Sequence, residues 1–523
     1  MNFCLTAAFY TSQSMTRPLT LPRIARDASD LCPLIPLFHL ALILETGMTY
    51  QSAIDHLAAM APELATQTGQ TRRKFSLDEI GTLLSALGNP HRTFPSVLIA
   101  GTNGKGSTAS TLASILTASG LRTGLYTSPH LSRPNERIRI DDVEISDDDF
   151  AELFFRVRST AQRLVEDRKL AQLPSFFETL TAMAFLHFAE PAIEVAVLEV
   201  GMGGRLDATN IVDPLISIIT DISLDHMEWL GPTVTDIARE KAGILRHGGT
   251  LVTLPQHPEA NQVIGEVATS LSVLGVSAVP FLPAADTAER PAPPVHENAI
   301  HGGYTLEVLG KQIEIDSPLR GAHQHRNVAL AIAAAVELAI SHGFPITAKS
   351  ISEGIHTTHW PARLERIATH ASESSPSTQW ILDVAHNPAG AWALRAGLRE
   401  MLPNQQPETL VFSCLRDKPV LEMAQILFPL FERVIFAPIY SSRATPMRDL
   451  LAAASSTGTP AVAAASVGQA IDLAAEHAAA RPDIPVVVSG SVYLVGDVRS
   501  RLLARQRQSA APHSTPERVG QIP

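Results

Sequence analysis

Cysteine is scarce in this chain, with Cys4, Cys32 and Cys414 the only three among 523 residues. Thiols so far apart make neither a disulfide framework nor a metal-ligand spacing, which excludes a cross-linked secreted scaffold and fits a reducing, cytoplasmic setting. Net positive charge is lacking too. Lys and Arg number 41 against 52 Asp and Glu, a formal charge of −11. That balance argues against a polybasic nucleic-acid face and leaves room for a local basic pocket around a small anion. No tandem repeat is present, and no apolar run is clean enough to span a bilayer. The most apolar stretch, "LCPLIPLFHLALIL" at 31–44, is short and broken by two prolines. It also lacks the clean apolar core and small-residue cleavage site of a signal peptide. Residues 1–47 therefore read as an upstream extension, disordered or apart from the fold, with the globular chain starting at Met48. No membrane, no nucleic acid and a monomer are expected.

What is present suits large cores: 45% hydrophobic and 18% charged residues, in a chain longer than one core usually supports. Short β-branched runs at 96–101, 124–128, 195–201, 215–223 and 250–254 look like strands buried on both faces. Helix-length segments separate them, which implies an α/β fold with a mostly parallel sheet over 48–340. "YTLEVLGKQIEIDSPL" alternates like an antiparallel hairpin, and an alanine-rich helix ends at Gly343-Phe344-Pro345. A second alternation of strands and helices then predicts a smaller, Rossmann-like α/β domain over 345–505, followed by a disordered tail at 506–523.

The stretch "IAGTNGKGST", 99–108, joins an apolar strand to a helix through three glycines and a lysine. Gly101 and Gly104 would let backbone N–H groups approach phosphate oxygens, the helix N-terminus adds its dipole, and Lys105 adds a positive charge. The usual G-x-x-x-x-G-K-[ST] pattern is altered, with Ile99 at the first glycine and Gly106 at the hydroxyl, so that Ser107 or Thr108 must supply it. A solvated lysine on a flexible turn is the alternative, and the strand–loop–helix context speaks against it. Open α/β sheets bind ligands beyond the carboxyl ends of their strands. Glu199, Asp225, His226 and Ser128 lie at such ends, and hard oxygen donors there would suit a divalent cation. Lys241 shares a helical stripe with Val234, Ile237 and Ala238. Buried there, its amine would be neutral and could take up carbon dioxide as a carbamate; otherwise it would snorkel to the surface.

Nine motifs in order resemble the folylpolyglutamate synthase/dihydrofolate synthase family, a branch of the Mur-type ATP-dependent amide ligases. They are "GTNGKGS", "YTSPHL" with "NERIRI", "FFE", "LEVGMGGRLDATN", "LDHMEWLG", "REKAGI", "GAHQHRN", "WPARLE" and "DVAHNP". The resemblance implies that ATP phosphorylates a pteroate or folate carboxylate and that L-glutamate attacks the acyl phosphate. It places Gly104, Lys105, Gly106, Ser107 and Thr108 on the phosphates, with Asn327, Arg363 and Asp383 on the nucleotide. Ser128, Glu199, His226 and Lys241 as its carbamate would serve Mg²⁺, with K⁺ a candidate second cation. His386 would orient phosphate or amine, making it catalytic alongside Lys105 and Lys241. Phe176, Phe177 and Glu178 would meet the pterin ring, core packing being the alternative for the two phenylalanines.

Two departures stand out, Ala362 in "WPARLE" and Val384 in "DVAHNP", where the family often has glycine. They put the local loop geometry in question, not the assignment. A Mur ligase of peptidoglycan synthesis is the nearest rival, but it needs an extra N-terminal domain for which the stretch before residue 95 has no room, and "GKGS" rather than "GKTT" favours the folate branch. A nucleotide-binding homologue with a dead site would have lost Lys105, Glu199, Lys241 or Arg363, and all four are present.

Overall fold

The computed structural model describes residues 47–60, 76–278, 303–369, 377–403 and 405–510, with side chains as far as 507. The extension expected at the N-terminus lies outside the described residues as far as 46. From Thr49 on, the chain forms one compact unit. Two helices come first, α1 (Tyr50–Met60) and α2 (Leu77–Ala86). Ser76 caps α2, its side chain accepting from the Asp78 N–H, as the acidic first turn after a serine suggested.

An eight-stranded sheet follows, built from β1 (Ser96–Ala100), β2 (Thr123–Tyr126), β3 (Ile138–Ile140), β4 (Val143–Glu144), β5 (Val195–Glu199), β6 (Ile216–Ile219), β7 (Thr250–Thr253) and β8 (Leu274–Ser277). Its order is β4-β3-β2-β5-β1-β6-β7-β8. Every pairing is parallel except β2–β3 and β3–β4 at one edge. Helices α3 (Lys105–Ala118), α4 (Asp147–Glu166), α5 (Phe176–Ala189), α6 (Met227–Leu230), α7 (Val234–Ala242) and α8 (Pro258–Ser270) connect the strands. Alternate residues of β1 enter different cores. Leu98 and Ala100 pack with α1, α2, α4, α5, α7 and α8, while Val97 and Ile99 pack with α3 on the other face. That two-sided burial explains the unbroken apolar runs.

The hairpin β9 (Tyr304–Val308) and β10 (Lys311–Ile315) precedes α9 (Ala322–His342) and α10 (Ala348–His356), which close the second face. The C-terminal sheet has the order β11-β12-β16-β13-β14-β15, from β11 (Glu365–Thr369), β12 (Thr378–Leu382), β13 (Thr409–Phe412), β14 (Arg433–Phe436), β15 (Ala461–Ala463) and β16 (Val486–Ser489). Only β11 runs antiparallel. Helices α11 (Pro388–Met401), α12 (Val420–Leu427) and α13 (Met447–Thr457) cover one face, and α14 (Val467–Ala478) and α15 (Val492–Ala510) the other. The last helix runs past 506, where the sequence suggested a disordered tail, and residues from 511 on lie outside the described set. Among the described residues no helix is long and apolar enough to cross a membrane.

Candidate active site

The centre of the large sheet is where the chain reverses its direction of travel across the strands, since β1 lies between β5 and β6. A crevice therefore opens beyond their carboxyl ends, and the loops leaving these three strands carry most of the candidate residues. The loop after β1 turns through Gly104, which has φ of 85° and serves as N-cap of α3. A Cβ there would collide with Asn327 Oδ1 from α9. Only glycine allows both the left-handed backbone and that approach. The Lys105 ammonium folds over the loop, donating to the Gly101 and Thr102 carbonyls at 3.0 and 3.2 Å. The loop itself is tied down from below. Backbone N–H groups of Thr102 and Asn103 donate to the Asp221 carbonyl, and the Asp221 carboxylate takes a two-point grip from Arg326 at 2.6 and 3.0 Å. Ser107 and Thr108 are buried in the first turn of α3, and Thr108 Oγ1 has no hydrogen-bond partner among the described residues.

Gly106 lies under the Trp360 indole, which an added Cβ would meet at 2.6 Å. Gly106→Ala should force the ring or the loop aside, costing about 1–3 kcal/mol as overpacking does. A lowered melting temperature with weakened ADP binding, read by titration calorimetry, is the expected outcome, and unchanged binding would count against this packing.

At the end of β5 the Glu199 carboxylate accepts from the Ser128 N–H at 3.0 Å. It faces a cavity of about 210 Å³, shared with Gly106, Ser128, Trp360 and Arg363. Burial pushes its carboxyl above the ordinary range, against the pull of Lys105, the Ser128 N–H, Arg363 and Arg137. His226, after β6, sits in a left-handed conformation with φ of 50°. Burial keeps its imidazole neutral at physiological pH by lowering its pKa to about 4, helped by Lys418, His386 and Lys105 and opposed by Asp225.

Lys241 does not snorkel. The residue is 4% exposed, and Nζ donates to the Gly101 carbonyl at 2.7 Å, directly beneath the phosphate loop. Burial, with repulsion from Lys105, brings its pKa down to about 7. Near neutrality a substantial fraction of this amine is thus unprotonated and nucleophilic.

The second domain supplies the opposite wall. Asp383 directly follows β12, accepting from the Leu364 and Ala385 N–H groups at 3.0 and 2.9 Å. Arg363 lines the cavity of Glu199, with its Nε buried and unpartnered among the described residues. Burial first, then Lys418, lowers the His386 pKa to about 4. Its Nδ1 lies 2.9 Å from the Val384 carbonyl, and a carbonyl can only accept, so the proton sits on Nδ1 and the Nε2 lone pair is open. On α9, Asn327 donates to Gln324 Oε1 at 2.8 Å. Gln324 in turn lines a second cavity of about 340 Å³ with Gly321, Tyr304 and Arg366.

Glu178 has a structural task at the start of its helix. It forms a capping box with Ser175, accepting from the Ser175 N–H at 2.8 Å while its own N–H donates to Ser175 Oγ at 3.2 Å. The carboxylate therefore closes the start of α5. Phe176 and Phe177 are half-buried against the core. Arg137 lies over the Phe176 ring at 5.2 Å, and Phe177 packs on Gly201 just past β5.

Ala362 takes a φ of 58°, the conformation that glycine would adopt without strain. That strain, roughly 1–2 kcal/mol, is opposed by a fully buried methyl worth about 0.8 kcal/mol and by the backbone entropy that glycine would lose, about 0.5–1 kcal/mol. The terms nearly cancel. Ala362→Gly should therefore change stability by less than about 1 kcal/mol in denaturant unfolding, and a larger shift would show that the loop is misjudged.

Sequence reasoning missed Lys418, Asn387 and Trp360. Lys418 lies in the loop after β13, and its place beyond an apolar strand was the signal that could have found it. Among the described residues no three His, Cys, Asp or Glu side chains are grouped to hold a metal on their own.

The Mur ligase middle domain matches residues 99–335 and the Mur ligase glutamate ligase domain residues 362–492. Over 465 residues the chain is 36% identical to the folylpolyglutamate synthase of Lacticaseibacillus casei, covering 87% of this chain and 99% of that one. The chain belongs to the folylpolyglutamate synthase family. Another member, the dihydrofolate synthase/folylpolyglutamate synthase of Bacillus subtilis, is 33% identical over 82% of this chain and 95% of its own. The fold of the family is likewise matched, by the Mycobacterium tuberculosis folylpolyglutamate synthase complexed with ADP, at a TM-score of 0.72 and 32% identity over 86% of this chain and 98% of that one.

Proposed function

We propose that this chain is an ATP-dependent ligase that joins the amino group of L-glutamate to the carboxylate of dihydropteroate, a reduced folate, or both. One observation carries this reading: a phosphate loop, a buried carboxylate and a buried near-neutral amine share one crevice with an arginine, an aspartate and a neutral histidine from the other domain. Gly104, Lys105, Gly106, Ser107 and Thr108 are assigned to the phosphates of ATP, and Arg363 and Asp383 to its ribose-phosphate side. The adenine is assigned to the larger cavity, because Gln324 on its wall is bonded to Asn327 at the phosphate loop.

Ser128, Glu199, His226 and a carbamate on Lys241 fit Mg²⁺, with K⁺ a candidate second cation. The donors are mostly hard oxygens with a neutral imidazole, and Mg²⁺ takes few protein ligands beside water and phosphate. When bound, it would offset negative charge between the γ-phosphate and the acceptor carboxylate. Lys105 adds charge on the same side, and closure of the two domains excludes water from an acyl phosphate that hydrolyses easily. The glutamate nitrogen then forms the amide bond as the carbon–oxygen bond to phosphate breaks, and the His386 Nε2 lone pair accepts the amine's proton. Phe176, Phe177 and Glu178 are assigned to the acceptor ring.

The acyl phosphate is tested by an acceptor labelled with ¹⁸O in its carboxylate. The label should appear in released phosphate, one oxygen per amide formed. The displaced label appearing in water or in AMP instead of phosphate would sink the mechanism.

A further inference from the structure

Asp225 was placed near the metal by position alone, and the structure gives it more to do. Its carboxylate belongs to the ATP-binding domain, yet most of its partners come from the other one. Oδ1 accepts from Lys418 Nζ at 2.6 Å and from the His226 N–H at 2.8 Å. Oδ2 accepts from Asn387 Nδ2 at 3.1 Å and lies 3.8 Å from His386 Nε2. The Lys418 and Asp225 side chains are only 6% and 9% exposed. Such a buried pair is costly unless its carboxylate is well hydrogen-bonded, and here three N–H donors reach it.

We propose, on the ligase reading above, that Asp225 is a positioning residue: one carboxylate that gathers Lys418 and Asn387 across the crevice, beside His386, and so sets the closed register of the two domains. Asn387 extends the clasp to the phosphate loop. Its Nδ2 also donates to Asn103 Oδ1 at 3.0 Å, while its Oδ1 caps α11 through the Gly390 N–H at 2.8 Å. Asn103 in turn donates to Ser223 Oγ at 3.1 Å, in the loop that carries Asp225. Phosphate loop, β6 loop and the start of α11 are thereby locked in one hydrogen-bonded ring. The ring forms only when the domains are together, so its strength acts on closure rather than on either domain's own fold. Closure brings His386 to the phosphate loop, which places the effect on kcat more than on ATP affinity.

The test is a double-mutant cycle with Asp225→Asn and Lys418→Met in the full chain, reading glutamate-dependent ADP release. Each single change should lower kcat at least about tenfold with the KM for ATP within about threefold of wild type, and the double variant should fall no more than about threefold below the worse single. Lys418→Gln serves if the methionine variant does not fold. Ser500→Ala removes a different interdomain contact, Ser132 Oγ to Ser500 Oγ at 2.7 Å, and should leave kcat unchanged. Independently of activity, spin labels at the exposed Ile340 and Val462, with Cys4 and Cys32 replaced, should give a longer and broader distance distribution in Asp225→Asn than in wild type. Losses that multiply in the double variant, or identical distributions, would overturn the proposal. A wild type that releases no ADP with either acceptor defeats the ligase reading instead, and the distance distributions then decide the clasp alone.

Discussion

Lys241→Ala is expected to lower kcat by about 10²–10³-fold, the loss typical of removing one preorganised electrostatic element from an active site. The expectation follows from burial. Desolvation and Lys105 bring the amine to about pKa 7, so its neutral, reactive form gains ground as pH rises through 7 and is lost as pH falls. Carbon dioxide reacts only with the neutral amine, and the product exchanges a buried cation for an anion beneath the phosphate loop. The wild type should therefore lose activity in carbon-dioxide-free buffer and recover on adding bicarbonate, with recovery slowing below about pH 7. Lys241→Arg should fail like alanine, because its guanidinium stays charged and cannot form the carbamate. Full activity in Lys241→Ala, or indifference to bicarbonate, would reject the carbamate.

Glu199→Gln separates function from stability. Activity should drop by about 10²–10³-fold as the crevice loses its buried carboxylate, yet the metal-free protein should melt at a higher temperature than wild type at neutral pH. Burial holds the folded-state pKa of Glu199 above its unfolded value. Between those two values the folded chain keeps a proton that the unfolded chain has released, so wild-type stability falls as pH rises through that window. Glutamine has no such charge. The variant's advantage should be full above the raised pKa and vanish below the ordinary carboxylate range of about 4. A lower melting temperature at neutral pH in chelator would show that the carboxylate serves the fold instead.

The two-sided burial of β1, β5 and β6 made the large sheet legible, because strands covered on both faces must be apolar throughout. Strands β8 and β15 were not, since both lie at sheet edges and leave most side chains to solvent. Residues at the ends of the apolar strands were easy to propose, because each strand is itself legible. The clasp was not, because Asp225, Asn387 and Lys418 meet only through the packing of two domains, and no local spacing encodes that. Glu178 carried a second local signal as well: its place three residues after Ser175 is the mark of a capping box, which the structure forms.

The central claim is the ligation itself, and it is tested most directly by ADP release from the full chain with ATP, Mg²⁺ and L-glutamate, given dihydropteroate and a reduced folate separately. The account predicts ADP formed together with an amide-linked glutamate adduct for at least one acceptor, and none when glutamate is withheld. No glutamate-dependent ADP with either acceptor would contradict it.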